Sequence, residues 1–259
     1  MTDSKCEVFT VVSAETVQCQ KEQAAPMGFF ERYVQPCLAE LIGSTLFIFV
    51  GCTSVIGNVG ITGSVQPALA HGLALAIVIG VFGEISGGHF NPAVSVCVFL
   101  VGGMELILLI PYVLVQMLGG MIGAGLAKAI SPPIEFSNAS GAAFTAVSSN
   151  ADVGVATVAE IVMTLFLTMV VSMGAVNERT RCLFVPFLIG LTVTANILAG
   201  GMVSGACMNP ARAFGPAVVA NHWAFHWVYW IGPMAGALLS ATIIRLLIGD
   251  KKIRVVFKR

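Results

Sequence analysis

The tripeptide Asn-Pro-Ala occurs twice in this chain of 259 residues. The copies are Asn91-Pro92-Ala93 and Asn209-Pro210-Ala211, 118 positions apart (209 minus 91). Asn is a preferred helix N-cap and Pro is favoured at the first helical position, so each copy predicts the start of a helix. A helix N-terminus carries roughly half a positive charge. Two such ends facing each other, with their Asn amide groups, would donate hydrogen bonds to a neutral, oxygen-bearing solute and repel cations.

Each predicted helix is too short to cross a membrane. Only about ten apolar residues follow Asn91, up to Val101, and a similar number follow Asn209, up to Ala220, whereas a transmembrane helix needs about 20. Non-helical backbone at membrane depth is tolerated where it is buried in protein or lines a wet cavity. The Gly-rich stretches before the two copies suit such a loop. We therefore predict two half-helices that dip into the membrane from re-entrant loops.

The composition places the chain in a lipid bilayer. Apolar residues make up 57% of the sequence and charged residues 10%, against roughly 25% charged in soluble domains, and the mean hydropathy is +0.91. Six stretches are apolar and long enough to span about 30 Å of hydrocarbon as helices. They are residues 35–57, 65–84, 104–130, 153–174, 183–203 and 224–248. The prediction is an all-α, polytopic membrane protein of one domain.

The repeat extends into the spans. Glu40 in the first span and Glu160 in the fourth both follow Ala and precede an apolar residue, and a Thr-Leu-Phe run follows each of them. Because each half contains three spans, an odd number, the halves enter the membrane from opposite faces and form an inverted repeat. The two Asn-Pro-Ala segments then approach the midplane from opposite sides.

Basic residues are distributed asymmetrically. Eleven of the 13 Lys and Arg residues precede the first span, join spans four and five, or lie at the end of span six and beyond it, and these segments share one face of a six-span protein. Since cytosolic segments are enriched in Lys and Arg, we predict that both termini are cytosolic and that residues 131–152 lie outside. That outer segment contains Asn138, an N-glycosylation acceptor in Asn-Ala-Ser. The sequon suits the plasma membrane, and the sequence leaves an intracellular or mitochondrial pool open.

These features resemble the major intrinsic protein, or aquaporin, family. The resemblance covers about residues 33–248 and rests on both Asn-Pro-Ala motifs, on Arg212 just after the second, and on Glu40 and Glu160. It implies an hourglass fold of six transmembrane helices and two re-entrant half-helices, assembled as a homotetramer with one pore in each subunit. The implied organisation is a cytosolic tail (1–32), a channel domain (33–248, with repeats 33–131 and 153–248) and a basic cytosolic tail (249–259).

Four positions form a selectivity ring in this family, and motif spacing assigns them here to His71, Ile197, Ala206 and Arg212. Strict water channels carry Phe and His at the first two positions, so this ring is expected to be wider, with one apolar wall. That composition resembles the branch that includes the plant vacuolar intrinsic proteins, which implies passage of water, ammonia and hydrogen peroxide. Glycerol facilitators carry an Asp after the Arg; here Ala213 stands there, which disfavours polyols.

Four residues have further expected roles. In the family, the carboxylates equivalent to Glu40 and Glu160 accept hydrogen bonds from the re-entrant loop backbone. Cys207, two residues before Asn209, is expected at the pore wall, where its thiol suits mercurial block or an oxidation-sensitive gate; a small apolar filler is the equal alternative. A histidine side chain ordinarily titrates near neutral pH, so we expect His71 to modulate conductance or to bind ammonia; the alternative is a packed histidine that bonds to a neighbour.

The expected function is a passive pore in the lipid bilayer for water, ammonia and hydrogen peroxide that excludes protons and ions. The alternative is an ion-coupled small-solute transporter, in which half-helix ends also bind substrate; linear flux without an ion requirement separates the two. A receptor or a structural junction protein does not explain the paired motifs together with Arg212. The sequence contains no catalytic set, phosphate-binding loop or metal-ligand cluster, so no enzyme activity, cofactor, metal or nucleic-acid partner is expected.

Overall fold

The computed structural model describes residues 28–256 of the chain. Residues 1–27 of the predicted N-terminal tail and residues 257–259 of the basic tail lie outside the described residues. The α-helices are α1 (Gln35–Ile56), α2 (Val65–Ser86), α3 (Pro92–Leu100), α4 (Leu106–Ile130), α5 (Pro133–Asn138), α6 (Val153–Val171), α7 (Val185–Gly200), α8 (Pro210–Ala220) and α9 (Val228–Ile243). Short π-helical segments precede α1 (Phe30–Val34) and follow α6 (Ser172–Val176) and α9 (Ile244–Ile248).

The two halves of the chain repeat one order of elements, which is two long helices, a half-helix and a third long helix. In the first half these are α1, α2, α3 and α4, and in the second they are α6, α7, α8 and α9. Within the halves α1 packs on α4 and α6 packs on α9, while α2 packs on α7 between the halves. The predicted all-α hourglass with two half-helices is confirmed.

Five helical segments of the described chain are long and apolar enough to cross a membrane, and they match five of the six predicted spans. The remaining predicted span, at residues 183–203, corresponds to α7, which has 16 residues and is shorter than expected. At 1.5 Å per residue it is ~24 Å long, less than the ~30 Å of a hydrocarbon core. The reason is local, since α7 ends at Gly200 and a turn from Gly201 leads the chain to the buried residues before Asn209.

Glycines bring the helices of each half into close contact. A methyl group added at Gly119 in α4 would lie 2.7 Å from the carbonyl oxygen of Leu41 in α1, and one added at Gly232 in α9 would lie 2.5 Å from Cβ of Glu160 in α6. Both distances are shorter than a Cβ atom tolerates, so the close approach of the helices requires glycine. The same packing encloses Glu40 and Glu160, whose side chains are fully buried.

The outward faces of the long helices are apolar. In α2, Leu69, Leu73 and Ile77 follow one another at four-residue spacing and are 46%, 53% and 64% exposed. Similar side chains cover α1, α4, α6 and α9. An exposed apolar surface of this extent faces lipid or another subunit rather than water. The polar interior lies around the two half-helices instead.

Candidate pore and selectivity site

Both Asn-Pro-Ala motifs start half-helices. Asn91 is the N-cap of α3, and its Oδ1 accepts a hydrogen bond from the backbone N–H of Ala93 over 2.9 Å. Asn209 is the N-cap of α8, and its Oδ1 accepts from the backbone N–H of Ala211, also over 2.9 Å. The proline of each motif stands at the first helical position, where its missing N–H would have no partner within the helix. The half-helices have 9 and 11 residues.

The side-chain amides of the two motifs tie the halves together. Asn91 Nδ2 donates to the carbonyl oxygen of Met208 over 2.8 Å, and Asn209 Nδ2 donates to that of Phe90 over 2.9 Å. An Asn amide carries two N–H groups, so one is committed to the opposite loop and the other remains available to another acceptor. The reciprocal bonds fix both side chains where the half-helices meet.

The residue before each motif has a left-handed backbone. Phe90 has a φ of +47° and Met208 a φ of +55°, values that residues other than glycine adopt rarely. The N–H of each residue donates to a buried carboxylate, and its carbonyl accepts from the opposite Asn. These bonds offset a backbone conformation that costs ~1–3 kcal/mol per residue.

Glu40 holds the first re-entrant loop. Its carboxylate accepts from the backbone N–H groups of His89 and Phe90, over 2.8 and 2.6 Å. It also accepts from Ser86 Oγ over 2.7 Å and from Gln116 Nε2 over 2.8 Å. All four partners are donors, which is what an ionised carboxylate requires as an acceptor-only group.

Glu160 makes the equivalent contacts in the second half. It accepts from the backbone N–H groups of Cys207 and Met208, over 2.8 and 2.7 Å, and from Ser204 Oγ over 2.7 Å. The amide of Gln116 has no counterpart, because Pro233 stands 117 positions later (233 minus 116) and has no side-chain donor. The carboxylate of the second half therefore accepts one hydrogen bond fewer than that of the first.

An elongated cavity of about 490 Å³ lies between the halves. Along α2 its lining runs from residue 64 to residue 79, a length of ~22 Å at 1.5 Å per residue. The lining includes both motif asparagines and all four residues predicted for the selectivity ring, which are Asn91, Asn209, His71, Ile197, Ala206 and Arg212. Part of the wall is apolar and consists of Leu75, Ile79, Leu167, Val171, Ile189 and Val193.

The guanidinium of Arg212 is buried and held against one side of this cavity. Its Nε donates to His71 Nε2 over 3.1 Å and its Nη1 donates to the carbonyl oxygen of Ala142 over 3.0 Å. The ring of Phe144 lies 4.9 Å from Cζ, within cation–π range. His71 Nδ1 lies 2.7 Å from the carbonyl oxygen of Pro67. Since a carbonyl only accepts, the ring proton is on Nδ1, and Nε2 accepts from Arg212.

The carbonyl that holds Arg212 comes from an unusual backbone segment. Ser140, Gly141 and Ala142 all have positive φ values, of 48°, 63° and 64°. A methyl group added at Gly141 would lie 2.7 Å from Cβ of Ala220, so the segment is also packed against the end of α8. Three successive left-handed residues turn the chain so that the Ala142 carbonyl reaches the guanidinium.

The remaining predicted site residues lie as follows. Cys207 lines the cavity, is 5% exposed, and donates through its thiol to the carbonyl oxygen of Asn209 over 3.0 Å. Asn138 is the last residue of α5 and is exposed. Across residues 28–256, no three His, Cys, Asp or Glu side chains come close enough together to hold a metal ion.

Four contributors to the site were not found from the sequence. No sequence pattern marks the Ala142 carbonyl as a ligand of Arg212. Phe144 is a single aromatic residue in a loop, and no motif distinguishes it. Tyr112 and Tyr229 donate from their hydroxyls to the carbonyl oxygens of the two loop serines, over 2.7 and 2.8 Å. Their separation of 117 positions (229 minus 112) nearly equals the motif spacing. That repeat spacing could have identified the tyrosines.

Comparisons with known proteins agree with this geometry. The model of the family described as major intrinsic protein matches residues 30–244. Aquaporin-8 of Rattus norvegicus is 59% identical over 232 residues, which cover 90% of this chain and 88% of the relative. Aquaporin TIP1-2 of Musa acuminata is 43% identical over 220 residues, which cover 81% of this chain and 85% of the relative.

A solved structure shows the same fold. The X-ray structure of the aquaglyceroporin from Plasmodium falciparum superimposes with a TM-score of 0.72 at 22% identity, and the match covers 83% of this chain and 97% of the other. The inverted half-helices, the family match over most of the length and the high identity to curated relatives all agree, and the chain belongs to the major intrinsic protein family.

Proposed function

We propose that the chain is a passive membrane channel for water, ammonia and hydrogen peroxide that excludes protons and ions. The observation that carries the proposal is the cavity, which passes both motif asparagines and Arg212 and is otherwise lined largely by apolar side chains. A small neutral solute meets hydrogen-bond donors at these few points and otherwise slides along apolar walls. Such a lining suits rapid passage better than tight binding.

The selectivity ring supports the proposed range of solutes. Ile197 and Ala206 give the ring apolar surface, and both are buried against the cavity. His71 uses both ring nitrogens within the protein, as described above, so Arg212 is the ring's remaining side-chain donor. Ammonia carries a lone pair that accepts from the free N–H groups of Arg212. Ammonium has no lone pair and is repelled by the guanidinium charge.

Exclusion of cations rests on three positive elements that line one cavity. Two are the N-termini of α3 and α8, each with roughly half a positive charge. The third is Arg212, which is 3% exposed and has no acidic side chain among the hydrogen-bond partners described for it. A cation must pass all three without a compensating carboxylate.

The two buried carboxylates argue against an ion-coupled transporter. Glu40 and Glu160 are the only fully buried acidic side chains among the described residues. Both oxygens of each carboxylate already accept hydrogen bonds from the re-entrant loops. We assign them a supporting role, in which they hold the loops that present Asn91 and Asn209. No fully buried carboxylate among the described residues then remains to couple an ion.

The remaining expectations stay proposals that the geometry accommodates. The channel domain is residues 33–248, with cytosolic segments before and after it and the α4–α6 connection outside. Asn138 is exposed on that connection, as a glycosylated side chain must be. The apolar outer faces suit a homotetramer in lipid, at the plasma membrane and in an intracellular or mitochondrial pool. Cys207 is the proposed target of mercurials and oxidants.

The test measures purified protein in liposomes by stopped flow. Osmotic water entry, ammonia-driven internal alkalinisation and peroxide entry are each compared with protein-free liposomes, without an ion gradient. We expect the wild type to conduct all three solutes. In the double variant His71→Phe with Ile197→His, we expect water conduction to persist and ammonia conduction to fall by about tenfold or more, since pore width and wall chemistry set passage.

A matched control is His226→Phe, because His226 accepts a hydrogen bond from Trp230 Nε1 and does not line the cavity. This control should conduct water and ammonia like the wild type. Wild-type protein that conducts only water would remove ammonia and peroxide from the proposal. Protein that conducts nothing without an ion gradient would reinstate the transporter.

A further inference from the structure

The chain after α9 folds back onto the loop between α6 and α7. We call residues 249–256 the C-terminal segment and residues 177–184 the α6–α7 loop. The backbone N–H of Val255 donates to the carbonyl oxygen of Arg245 over 2.7 Å, and that of Arg254 donates to the carbonyl oxygen of Asp250 over 2.8 Å. These bonds bend the C-terminal segment into a compact turn beside the end of α9.

Asn177 joins the C-terminal segment to the α6–α7 loop from the loop side. Its side chain is 1% exposed, and its Oδ1 accepts from the backbone N–H of Asp250 over 2.7 Å. Its Nδ2 donates to Thr180 Oγ1 over 2.8 Å. One buried amide thus uses its oxygen on the C-terminal segment and its nitrogen on its own loop.

Asp250 makes the reciprocal connection. Its Oδ2 accepts from the backbone N–H of Glu178 over 3.0 Å, and its Oδ1 accepts from the N–H groups of Lys252 and Ile253 over 2.9 and 3.1 Å. These backbone donors, that of Ile253 foremost, lower the pKa of the Asp250 carboxyl below its usual value. The carboxylate is therefore ionised and able to accept all three bonds at neutral pH.

An ion pair and an apolar contact complete the attachment. Lys252 Nζ lies 2.6 Å from Glu178 Oε1, and this partner raises the pKa of Lys252. Ile253 is 8% exposed and packs in one apolar cluster with Val101, just past the end of α3, and with Ile244 at the end of α9. The C-terminal segment is thus anchored to the base of a half-helix as well as to the loop.

The α6–α7 loop is directly continuous with the pore wall. Val171 precedes Asn177 by six residues and Ile189 follows the loop by five, and both line the 490 Å³ cavity. A separate cavity of about 230 Å³ lies under the attachment, lined by residues of the loop, of the C-terminal segment and of the chain just after α3. The loop therefore has room to move if the attachment is released.

We propose that the C-terminal segment is a clasp that holds the α6–α7 loop in the position that keeps this mouth of the pore open. The proposal rests on the channel function above. In the structure, where these contacts are made, the cavity extends along α2 and α7. Release frees the loop between Val171 and Ile189, and the mouth then closes for part of the time, which lowers permeability.

The test combines two readouts on full-length protein in liposomes. Asp250→Ala removes all three carboxylate bonds, and Lys252→Met removes the ion pair but keeps most of the apolar stem. In Asp250→Ala we expect amide hydrogen exchange in the α6–α7 loop to be about tenfold faster, as in local opening, and osmotic water permeability per folded protein to fall to about half or less. In Lys252→Met we expect smaller changes in the same directions, because an exposed ion pair contributes little to stability. Circular dichroism and size-exclusion chromatography establish the folded fraction.

Lys251→Met is the matched control, because it removes the same charge from a neighbouring exposed lysine for which no bond to the loop is described. We expect wild-type exchange and permeability for it. Faster exchange with unchanged or raised permeability in Asp250→Ala and Lys252→Met would overturn the clasp. A wild type without water permeability would instead refute the channel function itself, so the two failures are distinguishable.

Discussion

Arg212 and His71 are 141 positions apart in the chain, yet Arg212 Nε donates directly to His71 Nε2 over 3.1 Å. The bond requires a neutral His71 with its proton on Nδ1, where the carbonyl of Pro67 accepts it. His71 is therefore a residue that positions the fixed cation of the proposed selectivity ring. Its hydrogen-bonding groups are used within the protein rather than on the solute.

Replacing His71 by Ala should widen the ring and release one anchor of Arg212. The guanidinium loses a buried acceptor, which costs ~1–3 kcal/mol when it is not replaced. We expect water conduction to persist and urea or glycerol, which we expect the wild type to exclude, to enter liposomes in stopped-flow light scattering. His71→Gln restores an acceptor and bulk and should exclude both again. An Ala variant that still excludes urea would show that the ring width is set elsewhere.

Replacing Glu160 by Ala should unfold the second re-entrant loop. Three donors from Ser204, Cys207 and Met208 lose their acceptor, and each buried unsatisfied group costs ~1–3 kcal/mol. We expect a loss of several kcal/mol, seen as a large drop in the thermal unfolding temperature in detergent. Glu84→Ala, at an exposed carboxylate of α2, is the control and should unfold like the wild type.

Cys207 should account for block by mercurials. Cys207 lines the cavity beside Ala206, so we expect a mercury atom bound to its sulfur to occupy the path of the solute. We expect mercuric chloride to reduce wild-type water permeability by about tenfold, in keeping with occlusion of a pore of molecular width. Cys207→Ser should be insensitive. Cys182→Ser removes an exposed thiol outside the cavity and should remain fully sensitive; the opposite pattern would refute the assignment.

Gly190 should be required for contact between α2 and α7. A methyl group there would overlap the carbonyl oxygen of Gly72 and lie 2.8 Å from Cβ of Ala76. Since both helices line the cavity, we expect Gly190→Ala to lower stability by ~1–3 kcal/mol through overpacking and to reduce permeability. A methyl group added at Gly80 in α2 meets nothing within 4 Å. Gly80→Ala should therefore leave permeability unchanged and the unfolding temperature unchanged or slightly raised. Equal behaviour of the two variants would contradict this account.

The sequence was informative where the signal is local. Hydropathy and span length place the chain in a membrane, and Asn followed by Pro marks both half-helix starts, because capping is decided by a few neighbouring residues. Repetition at a spacing near 118 then relates the two halves. The same local view overestimated the fifth span, because hydropathy continues past Gly200 whereas the helix does not.

Contacts between distant residues were decided by the tertiary structure. The resemblance to the family predicted His71 and Arg212 in one ring, but it did not show that they bond to each other. The Ala142 carbonyl reaches Arg212 only because three successive residues are left-handed, and no side chain there announces that conformation. Nor does the sequence show that Asp250 accepts from Glu178.

The physical reason is the range of the forces involved. Partition of a segment into lipid depends on the apolar composition of that segment, and helix capping depends on residues within one turn. The sequence by itself therefore determined the membrane class and the half-helix starts, and direct comparison of its two halves determined the repeat. Hydrogen bonds act over about 3 Å, and which groups come within that distance depends on how every helix and loop packs. Only the tertiary structure therefore decided the partners of Arg212, the tautomer of His71 and the contact between the C-terminal segment and the α6–α7 loop.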